Sequence, residues 1–138
     1  MARGRNGPSV ALCALFLLFT LCHGGMKERE AANVHMRAAN KAFSEGQTED
    51  AIRLYRETLK IMPTRIAGWS NLGVTLHSAG RLLEAIESYA VVGKLHPTHD
   101  TIYLNMGDAY RQAGRPQEAV TSYRYATKAA DSQQACRP

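Results

Sequence analysis

Asn71 and Asn105 stand 34 residues apart, each directly before a Leu-Gly or Met-Gly pair. A carboxamide donates and accepts at once, so two of them at a fixed interval could hold a polypeptide by its backbone, whatever its side chains. A second concentration of chemistry is His96-Pro97-Thr98-His99-Asp100, two imidazoles and a carboxylate of the kind that bind metals. No further Cys or His lies close to it in sequence, so the cluster falls short of a ligand set. Cys136 has no identifiable base partner, no Gly-x-Ser-x-Gly turn exists, and glycine-rich phosphate loops are missing. The expectation is therefore a non-enzymatic protein with no cofactor and no metal.

The interval between the asparagines belongs to the whole chain. Gly46, Gly80 and Gly114 repeat it, each five residues before an alanine (Ala51, Ala85, Ala119) and nine before a tyrosine (Tyr55, Tyr89, Tyr123). Blocks 32–65, 66–99 and 100–133 align without gaps, and the last two share ten identities, against about two expected from average composition. Apolar residues recur at spacings of three and four within each half-block: Ala38 and Ala42 then Ile52, Tyr55 and Leu59; Trp69, Leu72 and Leu76 then Ala85, Ile86 and Tyr89; Tyr103, Met106 and Tyr110 then Val120 and Tyr123. Each block is thus two amphipathic helices. The central glycine falls where one helix ends and the chain must turn through left-handed backbone geometry. Pro63 and Pro97 close second helices, and Pro116 opens one, where its missing amide hydrogen is harmless. The fold class read from this is all-α, an α-solenoid whose units share one core.

Composition sets outer limits. The 138 residues are 45% hydrophobic and 21% charged, enough for one modest globular domain. The formal charge of +5 falls to +3 once Arg3 and Arg5 are set aside, and basic and acidic residues are interspersed. Nucleic-acid binding needs a clustered basic stripe, so no nucleic-acid partner is expected.

The N-terminus breaks the pattern. Arg3 and Arg5 precede an apolar run from Val10 to Cys22, followed by His23-Gly24-Gly25. That run is shorter than the about 20 residues a membrane-spanning helix needs, yet it fits the core of a secretory signal peptide cleaved after Gly24. The organisation expected is a leader at 1–24, a linker or helix start at 25–31, the repeat domain at 32–133 and a tail at 134–138. Entry into the secretory pathway follows, to the endoplasmic reticulum lumen or beyond. If the segment is retained instead, the protein is membrane-anchored. Cleavage would remove Cys13 and Cys22 and leave Cys136 alone, so no internal disulfide is expected.

These residues resemble the tetratricopeptide repeat family. Its pattern, Trp-x2-Leu-Gly-x2-Tyr followed by Ala-x3-Phe and a later Pro, is matched by Trp69, Leu72, Gly73, Leu76, Ala85, Tyr89 and Pro97. The third unit follows with Tyr103, Met106, Gly107, Tyr110, Ala119 and Tyr123, but has Asp131 where Pro is usual. The first is weaker at its start, with His35, Ala38, Ala39 and Ala42, and recovers at Ala51, Tyr55 and Pro63. The resemblance implies three units, with Trp69, Tyr89 and Tyr123 packed in the core and function on the concave surface of the first helices. The residues it turns to that groove are Met36, Arg37, Asn40 and Phe43, then Ser70, Asn71, Val74 and His77, then Leu104, Asn105, Asp108 and Arg111. The partner implied is a protein or peptide client in extended form.

Two subtypes of the family bear on these positions. Repeats that clamp the acidic tail of heat-shock chaperones use two asparagines and three basic groups. Asn40 and Asn71 match them, but Met36, Thr101 and Asn105 occupy the basic places, so that clamp is not expected, although Arg37 and Arg111 could partly replace it. Repeats resembling those of the protein O-linked N-acetylglucosamine transferase hold peptide backbone on an asparagine ladder. Here that ladder has two rungs, Asn71 and Asn105, with Arg37 at the third place. Two alternatives stay open: a substrate-recruiting segment of a larger enzyme such as a glycosyltransferase, or a membrane-anchored scaffold. With Asp131 to Pro138 read as lying beyond the last helix, the final apolar edge is expected to be uncovered, which implies either self-association through that edge or truncation of a longer parent chain.

Overall fold

The computed structural model describes residues 10–135, with side chains from residue 25 onward. Six helices follow one another: α1 (Val10–Ser44), α2 (Thr48–Ile61), α3 (Ile66–Ser78), α4 (Leu82–Leu95), α5 (Asp100–Gln112) and α6 (Pro116–Ala135). They pack as hairpins α1–α2, α3–α4 and α5–α6, and the hairpins join where α2 meets α3 and α4 meets α5. The architecture is the expected all-α solenoid.

Each hairpin turns the same way. Gly46, Gly80 and Gly114 have φ of 77°, 74° and 72°, in the region where a Cβ meets the neighbouring carbonyl. The turn amides then bond back to the helix they leave: Gly80 N–H to His77 O at 3.0 Å and Arg81 N–H to Leu76 O at 2.9 Å, repeated by Arg115 N–H to Tyr110 O at 2.9 Å and Gln47 N–H to Ala42 O at 2.9 Å. These bonds satisfy carbonyls that the end of a helix leaves open.

The core follows the period. Ala39, Ala51, Ile52, Tyr55, Leu76, Ala85, Tyr89, Val92 and Ile102 are almost wholly buried. Each large apolar side chain so placed contributes about 1.5–3 kcal/mol. Small residues set how near the helices come. A Cβ on Gly73 would lie 2.4 Å from Tyr89 Cε1, and one on Gly107 would lie 2.4 Å from Tyr123 Cε1. The tyrosine of the second helix therefore lies flat against the glycine of the first.

Residues 25–31, expected as a linker or the start of the first helix, are helical and continuous with α1. The expected leader at 1–24 lies outside the described residues for its first nine positions and for all of its side chains, with backbone from Val10 in α1. No helix among the described residues is long and apolar enough to cross a membrane. At the other end, residues 131–135, read as lying beyond the last helix, belong to α6, and residues 136–138 of the expected tail at 134–138 lie outside the described residues. Pro63 and Pro97 follow closely on α2 and α4, each of 14 residues, whereas Asp131 keeps its amide hydrogen and α6 extends to 20.

Candidate functional site

The first helices α1, α3 and α5 carry the expected groove residues. Asn40 on α1 is the hub of the first half. Its Oδ1 accepts the Tyr55 hydroxyl at 2.7 Å and the Asn71 Nδ2–H at 3.1 Å, so one amide ties α1 to α2 and to α3. Asn40, Phe43, Tyr55, Asn71 and Val74 enclose a hollow of about 250 Å³. Phe43 and Val74 are both 37% exposed, so this hollow offers apolar surface beside amides.

A second hollow of about 370 Å³ continues from Val74, lined by His77, Ser78, Tyr89, Asn105 and Gln112. Its distinctive group is the Tyr89 hydroxyl. The equivalent phenols are occupied: Tyr55 donates to Asn40, and Tyr123 donates to Asp108 Oδ1 at 2.8 Å. The place that holds Asn40 in the first unit and Asp108 in the third holds Val74 in the second, and Val74 has no acceptor to offer. Among the described residues the Tyr89 hydroxyl has no side-chain partner, although the residue is only 1% exposed. Burial, with the negative charge of Asp108 second, pushes its pKa up to about 12. It is a neutral donor throughout the physiological range. Burial also raises the pKa of Tyr55, with the Asn71 amide opposing, and the bond to Asp108 raises that of Tyr123.

The expected residues divide accordingly. Asn40 and Asn71 meet in the first hollow, His77 and Asn105 in the second. Arg37 lines neither; it lies along α1 and pairs with Glu30 at 3.1 Å. Asp108 and Arg111 pair with each other at 3.6 Å, the former also held by Tyr123. Met36 is corrected: it is 7% exposed and part of the core. Ser70, the equivalent position on α3, has its Oγ buried without a partner. Trp69 and Tyr123, expected in the core, are also adjusted, both being only partly buried; the Trp69 Nε1–H donates to Pro63 O at 2.7 Å. Sequence reasoning missed Ser78 and Gln112, and it read Tyr89 as core filler while giving Tyr55 no role in the groove; the equivalence of Asn40, Val74 and Asp108 opposite the three tyrosines was the available signal. His96 and His99 meet edge to face at 5.8 Å. No group of three potential ligands among the described residues could hold a metal ion.

Comparison with known proteins agrees with this fold. Family models described as tetratricopeptide repeat match residues 36–100 and 100–133, and the chain belongs to that family. No curated protein matches. Among solved structures, "Crystal structure of MamA" superposes with a TM-score of 0.74 at 21% identity, covering 76% of this chain and 61% of that one. "Second TPR of Spaghetti (RPAP3) bound to HSP90 peptide SRMEEVD" gives a TM-score of 0.70 at 17% identity, covering 76% and 96%. The first repeat domain of the same protein, bound to the same peptide, gives 0.68 at 19% identity, covering 72% and 79%. The chain spans less than two thirds of the length of the MamA structure. At these identities the likeness establishes the fold.

Proposed function

We propose that this protein is a non-enzymatic interaction module that takes an extended peptide across α1, α3 and α5. The observation that carries the reading is the pair of hollows joined at Val74, which puts amide, phenol and imidazole groups around exposed apolar patches. A peptide backbone satisfies such amides without regard to its sequence, and Phe43 and Val74 favour an apolar side chain between them. Three helices abreast span about 20–30 Å, the length of roughly six to eight extended residues. That the RPAP3 domains hold a peptide supports the reading by kinship of fold.

The groove does not favour a strongly acidic peptide. Desolvated carboxylates need charge-assisted donors, and Arg37 and Arg111 are already paired with Glu30 and Asp108. The test is fluorescence anisotropy with labelled octapeptides of mixed sequence beside SRMEEVD. Uncharged extended peptides should bind, SRMEEVD should bind more weakly, and replacing both Asn71 and Asn105 with alanine should weaken binding at unchanged helicity. Undiminished binding by the double variant removes the groove reading. We further propose that Arg3, Arg5 and the apolar run to Cys22 direct the chain into the secretory route; a mature protein that keeps Met1 on N-terminal sequencing, without membrane association, overturns that.

A further inference from the structure

A further hollow, of about 500 Å³, lies away from the groove. On α3, successive residues advance by about 100°, so Trp69, Leu72 and Leu76 face nearly opposite to Asn71 and Val74. Those three side chains floor a cavity of about 500 Å³, walled by Leu59 of α2 and Val91 of α4. Nothing in the expected function uses it.

The next unit shows what belongs there. Thirty-four residues on from Trp69 and Val91 stand Tyr103 and Tyr125. Their rings stack with centroids 5.7 Å apart at 28°, and the Tyr103 hydroxyl donates to Gly93 O at 3.3 Å. At the equivalent position between α4, α5 and α6 the chain thus sets an aromatic side chain of its own, Tyr125, against Tyr103, with about half of its surface left exposed. Between α2, α3 and α4 the shorter Val91 leaves the indole of Trp69 without a ring to stack on.

The rim specifies the charge of the missing group. Arg56 and Lys60 stand with Glu84 and Glu87 in the lining, and Arg56 is bonded to Glu84 at 2.7 Å, so opposite charges around the mouth balance in number. Neither an anion nor a cation gains from entering. A flat, neutral ring does, by offset stacking on Trp69 and by covering Leu59 and Leu76.

We infer that this cavity is a second docking site, on the side of α3 away from the groove, that receives a tyrosine or phenylalanine side chain of a partner polypeptide. The partner's ring takes the place relative to Trp69 that Tyr125 takes relative to Tyr103. The two sites use opposite sides of α3, so a peptide in the groove and an aromatic anchor behind it can be held together.

The test is a titration of the full chain with N-acetyl-tyrosinamide and, separately, p-cresol, followed by NMR. Saturable shifts of the Trp69 indole and of the Leu59, Leu76 and Val91 methyls by both probes are expected, with no change at Asn71 or Asn105. Val91→Tyr should abolish those shifts and raise the melting temperature, by supplying the ring from within. No saturable shift, or equal shifts in a folded V91Y variant, overturns the proposal. So does binding of p-cresol without N-acetyl-tyrosinamide, which assigns the cavity to a small free aromatic, or concentration-dependent shifts of the protein alone, which assign it to a second copy. If V91Y does not fold, the location of the shifts in the unaltered chain decides, and shifts away from the cavity count against it.

Discussion

Asn71 donates its Nδ2–H to Asn40 Oδ1 across 3.1 Å, at the same oxygen that receives the Tyr55 hydroxyl at 2.7 Å. The two asparagines therefore do different work. Asn40 holds the first two hairpins in register as the shared acceptor, and Asn71 meets it as a donor.

That difference is measurable. Asn71→Ala removes one donor from an acceptor that keeps another, and should cost about 0.5–1.5 kcal/mol. Asn40→Ala strands both a phenol and an amide, and should cost about 1–3 kcal/mol. Urea unfolding of both variants gives the order, which the hydrogen-bond geometry requires to be Asn40 above Asn71.

Gly73→Ala sets two effects against each other. Alanine favours a helix over glycine by about 1 kcal/mol, but its Cβ would sit 2.4 Å from the buried Tyr89 ring, and overpacking of that kind costs about 1–3 kcal/mol. The ring is enclosed, so the clash should win and thermal stability should fall. Gly107→Ala meets Tyr123 at the same distance, yet Tyr123 is only half-buried and can shift. The second variant should lose less, and a pair of melting curves checks it.

Alkaline stability should report on Tyr89. Its folded pKa is raised to about 12 from 10.0, so the folded state holds that proton more tightly than the unfolded chain does. The stability gained is fully present below pH 10 and is lost as pH rises through about 12. Two pKa units correspond to about 2–3 kcal/mol. Tyr89→Phe should unfold less steeply between those limits, followed by circular dichroism and tyrosinate absorbance. An unchanged slope would show that Tyr89 does not ionise in this window.

The ion pair between Arg56 and Glu84 links α2 to α4, but both side chains are more than two-fifths exposed. Pairs of this kind are worth about 0–1 kcal/mol. Arg56→Ala should change the denaturant midpoint very little, and a large shift would mean the Arg56 side chain matters through its packing over the cavity.

The fold was legible because it repeats. Glycines with positive φ, alanines at close crossings and prolines after second helices recur every 34 residues, and each is dictated by local geometry. The groove was legible in part. Asn71 and Asn105 announce themselves by equivalence, whereas Asn40 meets Asn71 from a different position in the period, which only the spacing of α1 and α3 brings together. Arg37 and Arg111 look free in the sequence, but Glu30 and Asp108 lie within their reach. The cavity beside Trp69 depends on which residue of α4 covers α3, and no period within α3 alone reveals that Val91 is too small.

Two substitutions set the middle hairpin apart at these sites: valine where its counterparts are asparagine and aspartate, and another valine where the following copy has tyrosine. Replacing the middle hairpin by a duplicate of its neighbour would preserve the scaffold while erasing both the spare phenol and the vacancy behind it. In this molecule, individuality resides in the exceptions to its own rhythm.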